Sequence, residues 1–193
     1  MKGKLIVFEG IDGVGKTSIS CAVTRWLNEH NYPAIRYEDY ENDTEGFALL
    51  KPFIKKSASI DTSLLFYLAS SAYKSQVIAK LLKRSWVICD RYLYSTLAYH
   101  SVRGADLRMI NIPKLPFYKP DHLFLLKVPD KARLLRLKAR SSNKKNDFHK
   151  NSTRSIFAKT ERYYESFDPT IIENSLTIDA TLKIILEKIV VIP

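Results

Sequence analysis

Apolar and polar positions follow two rhythms along this chain. "KLIVFEG" (4–10) is a continuous apolar run, the mark of a strand buried on both faces. Directly behind it, Ile19, Ala22, Val23, Trp26 and Leu27 recur at helical spacing within residues 16–30. Asn31 and Pro33 close that helix. The alternation continues: "AIRYE" (34–38) reads as strand, 44–56 and 61–84 as helices, "SWVICD" (85–90) as strand, and 93–102 as helix. Residues 103–121 hold three of the eight prolines and predict loop with short turns. "HLFLLKV" (122–128) predicts a strand and 130–140 a helix. "RSSNKKNDFHKNST" (140–153) has almost no apolar residue and predicts an exposed flap. A helix over 154–166, a strand over 175–179 and a helix over 181–189 complete the pattern. Strands alternating with helices predict an α/β fold: a parallel sheet of about five strands with helices on both faces.

Composition narrows this little. At 193 residues, 46% hydrophobic and 26% charged, the chain suits one core-bearing domain over 1–193, with 140–153 as a mobile lid segment. No secretory h-region precedes the first strand, and no apolar run approaches the roughly 18 residues of a membrane span. Cys21 and Cys89 lack metal or framework spacing and read as buried thiols, so a cytoplasmic setting is expected. The net charge of +11 points to anionic partners, either nucleotides or nucleic acid, or to a solvated lysine-rich surface.

The chemistry begins at "FEGIDGVGKTS" (8–18). Gly10, Ile11, Asp12, Gly13, Val14, Gly15, Lys16 and Thr17 match G-x-x-x-x-G-K-[ST]. Glycines let backbone N–H groups curl around phosphate oxygens without an intervening side chain. Lys16 reaches the β and γ phosphates of ATP, Thr17 holds Mg²⁺, and the helix behind points its positive end at the anion. Ser18 belongs to the same phosphate-binding run. Lys16 is expected to be exposed at the loop and to support no core. Asp90 ends an apolar strand and suits the acid that orients Mg²⁺. Arg91 adds a cation beside the phosphates; a surface salt bridge is its plain alternative. Arg136 and Arg140, one helical turn apart, are candidates to close over the ATP phosphates with the flap; a solvated basic loop is the plain alternative.

Together these segments resemble the thymidylate kinase family of nucleoside monophosphate kinases. The loop carries that family's acid at Asp12. "DRYLYSTLAYH" (90–100) resembles its D-R-Y-x-x-S-x-x-A-Y-Q signature, and "RGAD" (103–106) its R-G-x-D stretch. "KPDHLFLLKVPDKARLLR" (119–136) resembles its P-D-L-x-x-x-L-D-V strand and following helix, and "TIDA" (177–180) its I-D-A. The resemblance implies the P-loop NTPase fold, transfer of a phosphoryl group from Mg·ATP to a pyrimidine deoxynucleotide, most readily dTMP, and a homodimer. It implies catalytic roles for Lys16, Arg91 and Asp12. Asp12 would meet the sugar 3′-hydroxyl, and Tyr99 would crowd the 2′ position. Phe66 would stack on the base, and Arg91 and Ser95 would serve the acceptor site.

The departures gather in the acceptor half. Ser70 stands where the family carries an Arg one turn after Phe66. "YEDYENDTEG" (37–46) lacks the Arg that holds the acceptor phosphate. His100 replaces the final Gln, Lys127 the Asp of L-D-V, and "DFHK" (147–150) lacks the acid that often follows the flap Asp. These imply a divergent member or paralogue with a shifted or lost acceptor. An ATP-binding regulatory or nucleic-acid-binding module is the competing reading, but the intact D-R-Y…S…A-Y signature favours an enzyme without nucleic acid as a partner.

Overall fold

The computed structural model describes residues 3–38, 45–140 and 154–189. The acidic 39–44 and most of the expected flap (141–153) lie outside the described residues. Five strands form one sheet: β1 (Leu5–Glu9), β2 (Ala34–Glu38), β3 (Trp86–Asp90), β4 (His122–Lys127) and β5 (Thr170–Glu173). Their spatial order is β2-β3-β1-β4-β5, and every pairing is parallel. Seven α-helices are described: α1 (Lys16–Glu29), α2 (Glu45–Ser57), α3 (Ile60–Leu81), α4 (Leu93–Val102), α5 (Asp130–Arg140), α6 (Arg154–Glu165) and α7 (Ile178–Ile189).

β1 shows why the apolar run had to be continuous. Its odd and even residues enter different cores. Ile6 and Phe8 join Ile19, Val23 and Leu27 of α1 and Ile185, Leu186 and Ile189 of α7. Leu5 and Val7 join Leu64, Leu68 and Ile78 of α3 and Leu93 and Leu97 of α4. A central parallel strand thus has no polar face. Its neighbours β3 and β4 are bound on either side, with Phe8 opposite Asp90 and Phe124. The loop after β1 therefore emerges at the carboxyl edge between two strands. That edge is where open α/β sheets hold ligands.

One expected element is misplaced. The last strand runs over Thr170–Glu173, five to six residues before the expected 175–179, and α7 starts at Ile178 rather than 181. "TIIE" is β-branched and pairs in register with Phe124–Lys127. The later stretch is a helix start: Thr177 Oγ1 accepts from Ala180 N at 3.2 Å, and Asp179 lies in the first turn.

Candidate functional site

The loop between β1 and α1 is shaped by left-handed backbone at Gly13 (φ 90°) and Gly15 (φ 94°). A Cβ on Gly13 would stand 2.9 Å from the side chains of Arg133 and Leu137 on α5. One on Gly15 would stand 2.5 Å from Asn174 Nδ2. Both steric limits and φ demand glycine here. Gly15 caps α1, so the helix's free N–H groups open directly onto the loop.

Lys16 is buried, contrary to the exposed loop position expected for it. Its Nζ donates to Gly10 O (3.0 Å) and Ile11 O (3.1 Å) across the curl of the loop. The reason is geometric: the loop folds back on the first turn of α1 and encloses the lysine. Burial, followed by the nearby charge of Arg91, lowers its pKa to about 8. Asp12 lies 3.9 Å away. Thr17 and Asp90, expected together at a metal, are joined: Thr17 Oγ1 donates to Asp90 Oδ2 at 2.6 Å. A hydroxyl and a carboxylate converging at the loop are hard oxygen ligands, the set that suits Mg²⁺ beside phosphates.

Arg91 follows with φ 74°, an unusual conformation for a side-chain-bearing residue that costs about 1–3 kcal/mol. Its Nη2 donates to Asp12 Oδ1 and, at 3.4 Å, to Tyr99 OH. Its Nη1 donates to Ser95 Oγ (2.9 Å) and Tyr164 OH (3.3 Å). Thus Asp12, Arg91, Ser95 and Tyr99, drawn from three segments, meet at one point. They line a cleft of about 290 Å³ together with Lys51, Lys55, Tyr67, Thr96, His100 and Arg103. Four cations and one carboxylate give the cleft a positive interior suited to an anion.

The base-side residues are placed differently. Phe66 and Ser70 are not among the residues lining this cleft. Phe66 lies edge-on to Phe47 and to Tyr67, while Ser70 is buried. The helix presents Tyr67 instead. His100 is buried with both ring nitrogens engaged. Nδ1 lies 2.7 Å from Thr96 O, which only accepts, so Nδ1 carries the proton and Nε2 accepts from Ser63 Oγ at 3.1 Å. Burial holds its pKa below the usual value. Lys127, standing where an acid was expected, donates to Glu165 of α6. Arg136 does not point free into the loop: it donates to Asn174 O (2.9 Å) and Val14 O (3.4 Å). The side chain of Arg140 lies outside the described residues.

Sequence reasoning missed three buried groups. Asn174 donates from Nδ2 to Val14 O (2.7 Å) and accepts from Thr181 Oγ1 (2.9 Å), clamping the loop to α7. Tyr164 of α6 reaches Ser95 Oγ at 2.9 Å. Glu9 ends β1 at 1% exposure and accepts from Tyr92 N, Ser95 N and Ser95 Oγ. Burial raises its pKa, against the pull of Arg91's charge and then of the Ser95 hydroxyl. A charged residue closing an otherwise buried strand was the available signal for Glu9. Asn174 and Tyr164 carried none.

Comparison with known proteins fits this geometry. A family model described as thymidylate kinase matches residues 8–189. A probable thymidylate kinase of Pyrococcus abyssi is 34% identical over 151 residues, covering 74% of this chain and 73% of the relative. One of Methanocaldococcus jannaschii is 32% identical over 180 residues, covering 92% and 87%. A thymidylate kinase of Carboxydothermus hydrogenoformans is 34% identical over 148 residues, covering 72% and 73%.

Proposed function

The chain belongs to the thymidylate kinase family, nucleoside monophosphate kinases that phosphorylate dTMP to dTDP with ATP, and we propose how its residues divide that work. The loop from Gly10 to Ser18 cradles the donor phosphates with its N–H groups, and Lys16 turns from loop carbonyls to phosphate oxygens. Thr17 and Asp90 would hold Mg²⁺, which supplies charge neutralisation on those oxygens. Arg91 stands between the loop and the cleft and stabilises charge on the transferring group. Its fork suits two phosphate oxygens better than an ammonium would.

Lys51 and Lys55 of α2, with Arg103, take the acceptor phosphate. They supply the charge that the 37–46 segment lacks as an arginine. Asp12 meets the sugar, and Tyr99 limits room at its 2′ position. Tyr67 offers an aromatic face to the base, and Ser70 contributes no charged donor. Such a transfer needs positioning and charge neutralisation more than covalent chemistry. The observation that carries the reading is Arg91 bridging Asp12 of the donor loop and Ser95 of the acceptor cleft.

A homodimer is part of the same proposal. Leu49, Leu50 and Phe53 of α2 and Leu65 of α3 are more than half exposed, an apolar cost that a second copy would remove. Among the described residues no helix is long and apolar enough to cross a membrane, and we place the activity in the cytoplasm.

A coupled assay of ADP release with Mg·ATP and each common nucleoside and deoxynucleoside monophosphate tests the function. dTMP should give the highest kcat/KM. No acceptor-dependent ADP release, together with salt-sensitive shifting of oligonucleotides, would instead support a nucleic-acid-binding module. Light scattering that returns a 22.2 kDa species at all concentrations would remove the dimer.

A further inference from the structure

Glu9 occupies a place that core packing does not explain. It is the last residue of β1, directly before the phosphate loop, and it is almost fully buried. Oε1 accepts from Tyr92 N (2.8 Å) and Ser95 N (3.1 Å). Both donors lie at the start of α4, whose own N-cap, Tyr92, makes no side-chain capping bond; Ser95 N also reaches Tyr92 O at 3.2 Å. Oε2 accepts from Ser95 Oγ at 2.5 Å. A carboxylate on one strand therefore caps a helix that follows another.

The consequence lies in the direction of protons. Ser95 has one hydroxyl proton and two lone pairs. With its proton given to Glu9, both lone pairs are left to accept, one from Arg91 Nη1 (2.9 Å) and one from Tyr164 OH (2.9 Å). Ser95 is then saturated and keeps no contact to offer an acceptor nucleotide. Arg91 is held from two sides: Asp12 takes Nη2, and the Ser95–Tyr164 pair takes Nη1. Its own backbone sits at φ 74°, so this network, with the bond from Arg91 N to Phe8 O (3.0 Å), holds a conformation that local preference opposes.

We propose that Glu9 is a positioning residue for the phosphoryl transfer: it fixes the proton of Ser95 and thereby aims the guanidinium of Arg91 between loop and cleft. This inference rests on the kinase reading above. It also reassigns Ser95 from holding the acceptor to holding Arg91. A carboxylate is required because both of its oxygens accept. An amide at this position would present N–H groups to Ser95, turn the serine proton towards Tyr164, and displace Arg91 Nη1 from Tyr164 OH.

The test is steady-state kinetics on Glu9→Gln, Ser95→Ala and the double variant, with melting temperature measured on each. Glu9→Gln should lower kcat about 10- to 100-fold, as for a displaced transition-state donor, with KM for Mg·ATP within about two-fold of the parent. Ser95→Ala should fall similarly and leave KM for the acceptor nearly unchanged. The double variant should be no slower than the slower single, because the two residues act in series. If Glu9→Gln does not fold, Tyr164→Phe removes the hydroxyl at the far end, both the donor to Ser95 Oγ and an acceptor for Arg91 Nη1, and should lower kcat a few-fold. An unchanged kcat per folded molecule, additive losses, or a Ser95→Ala effect confined to acceptor KM would each overturn the proposal. An inactive parent enzyme would instead remove the kinase reading, so the two failures are distinct.

Discussion

The donor loop and the acceptor cleft are built from different materials, though they share Asp12 and Arg91. The loop is backbone architecture: eight consecutive residues, glycines at positive φ, and a helix start. The cleft is side-chain architecture: α2, α3, α4 and the loop after α4 each lend one or more residues. Backbone function depends on residue type at fixed spacing, so it is written locally. Side-chain function depends on which face of a helix turns inward, and tertiary packing decides that. Loop variants should therefore lose turnover, while cleft variants that leave the support of Arg91 intact should lose acceptor affinity.

The largest effect should come from Lys16→Ala. Removing the one cation inside the loop should lower kcat by about 100-fold or more, the scale of losing a preorganised charge donor. Gly10 O and Ile11 O lose a partner, but the cost of burying an ammonium also ends, so the melting temperature should move little. Turnover near the parent's would break the donor assignment.

Arg91→Lys comes next. Lysine keeps the charge but cannot hold Asp12, Tyr99, Ser95 and Tyr164 with one nitrogen. kcat should fall about 100-fold with ATP affinity nearly unchanged. A variant that only melts earlier would reduce Arg91 to a structural ion pair with Asp12.

The same contrast governs legibility. β1, α4 and α5 were readable to within a residue, because each carries its own periodicity and its own stop signal. The last strand was misread because "SLTID" mixes apolar and β-branched residues, while its real role is to cap α7 through Thr177. Thr17 and Asp90 were readable as neighbours although 73 residues apart, since one ends the loop motif that follows β1 and the other ends β3, the strand beside it. Which of Phe66 and Tyr67 lines the cleft was not readable: on a helix as apolar as α3, adjacent aromatics differ only in azimuth, and it is Tyr67 that does. Glu9, Asn174 and Tyr164 serve by hydrogen bonding to distant backbone or hydroxyl groups, and a single sequence does not record such partners.

On the acceptor side, Lys51→Ala should raise the acceptor KM about ten-fold, the loss of one charge-assisted contact, with kcat little changed. Lys55 is exposed and screened, so its removal should cost about two-fold. Equal kcat losses in both would move the α2 lysines to the donor side. Tyr67→Ala should raise acceptor KM about five-fold through lost stacking. Phe66→Ala should instead lower stability by removing the contact with Phe47. The reverse pattern would return the base to Phe66.

The smallest effect is a proton. In the free protein, burial and then Arg91's charge hold the Lys16 pKa at about 8, below its usual value. A bound polyphosphate would replace the loop carbonyls with anionic oxygens and raise that pKa again. Nucleotide binding should therefore take up protons at pH 8 to 9, and affinity should decline as pH rises through that window. Below about pH 7 Lys16 is charged in both states, so uptake should vanish. The sign for folding is the opposite. A lowered lysine pKa costs stability in full below about 8, and the cost is relieved as pH rises towards the unfolded value near 10.4. Titration calorimetry of ATP in buffers of different ionisation heat measures the uptake, and Lys16→Met is the control. The parent should take up a fraction of a proton at pH 8.5 and the variant none. Equal uptake in both would place the titrating group elsewhere and leave the enclosed lysine charged throughout.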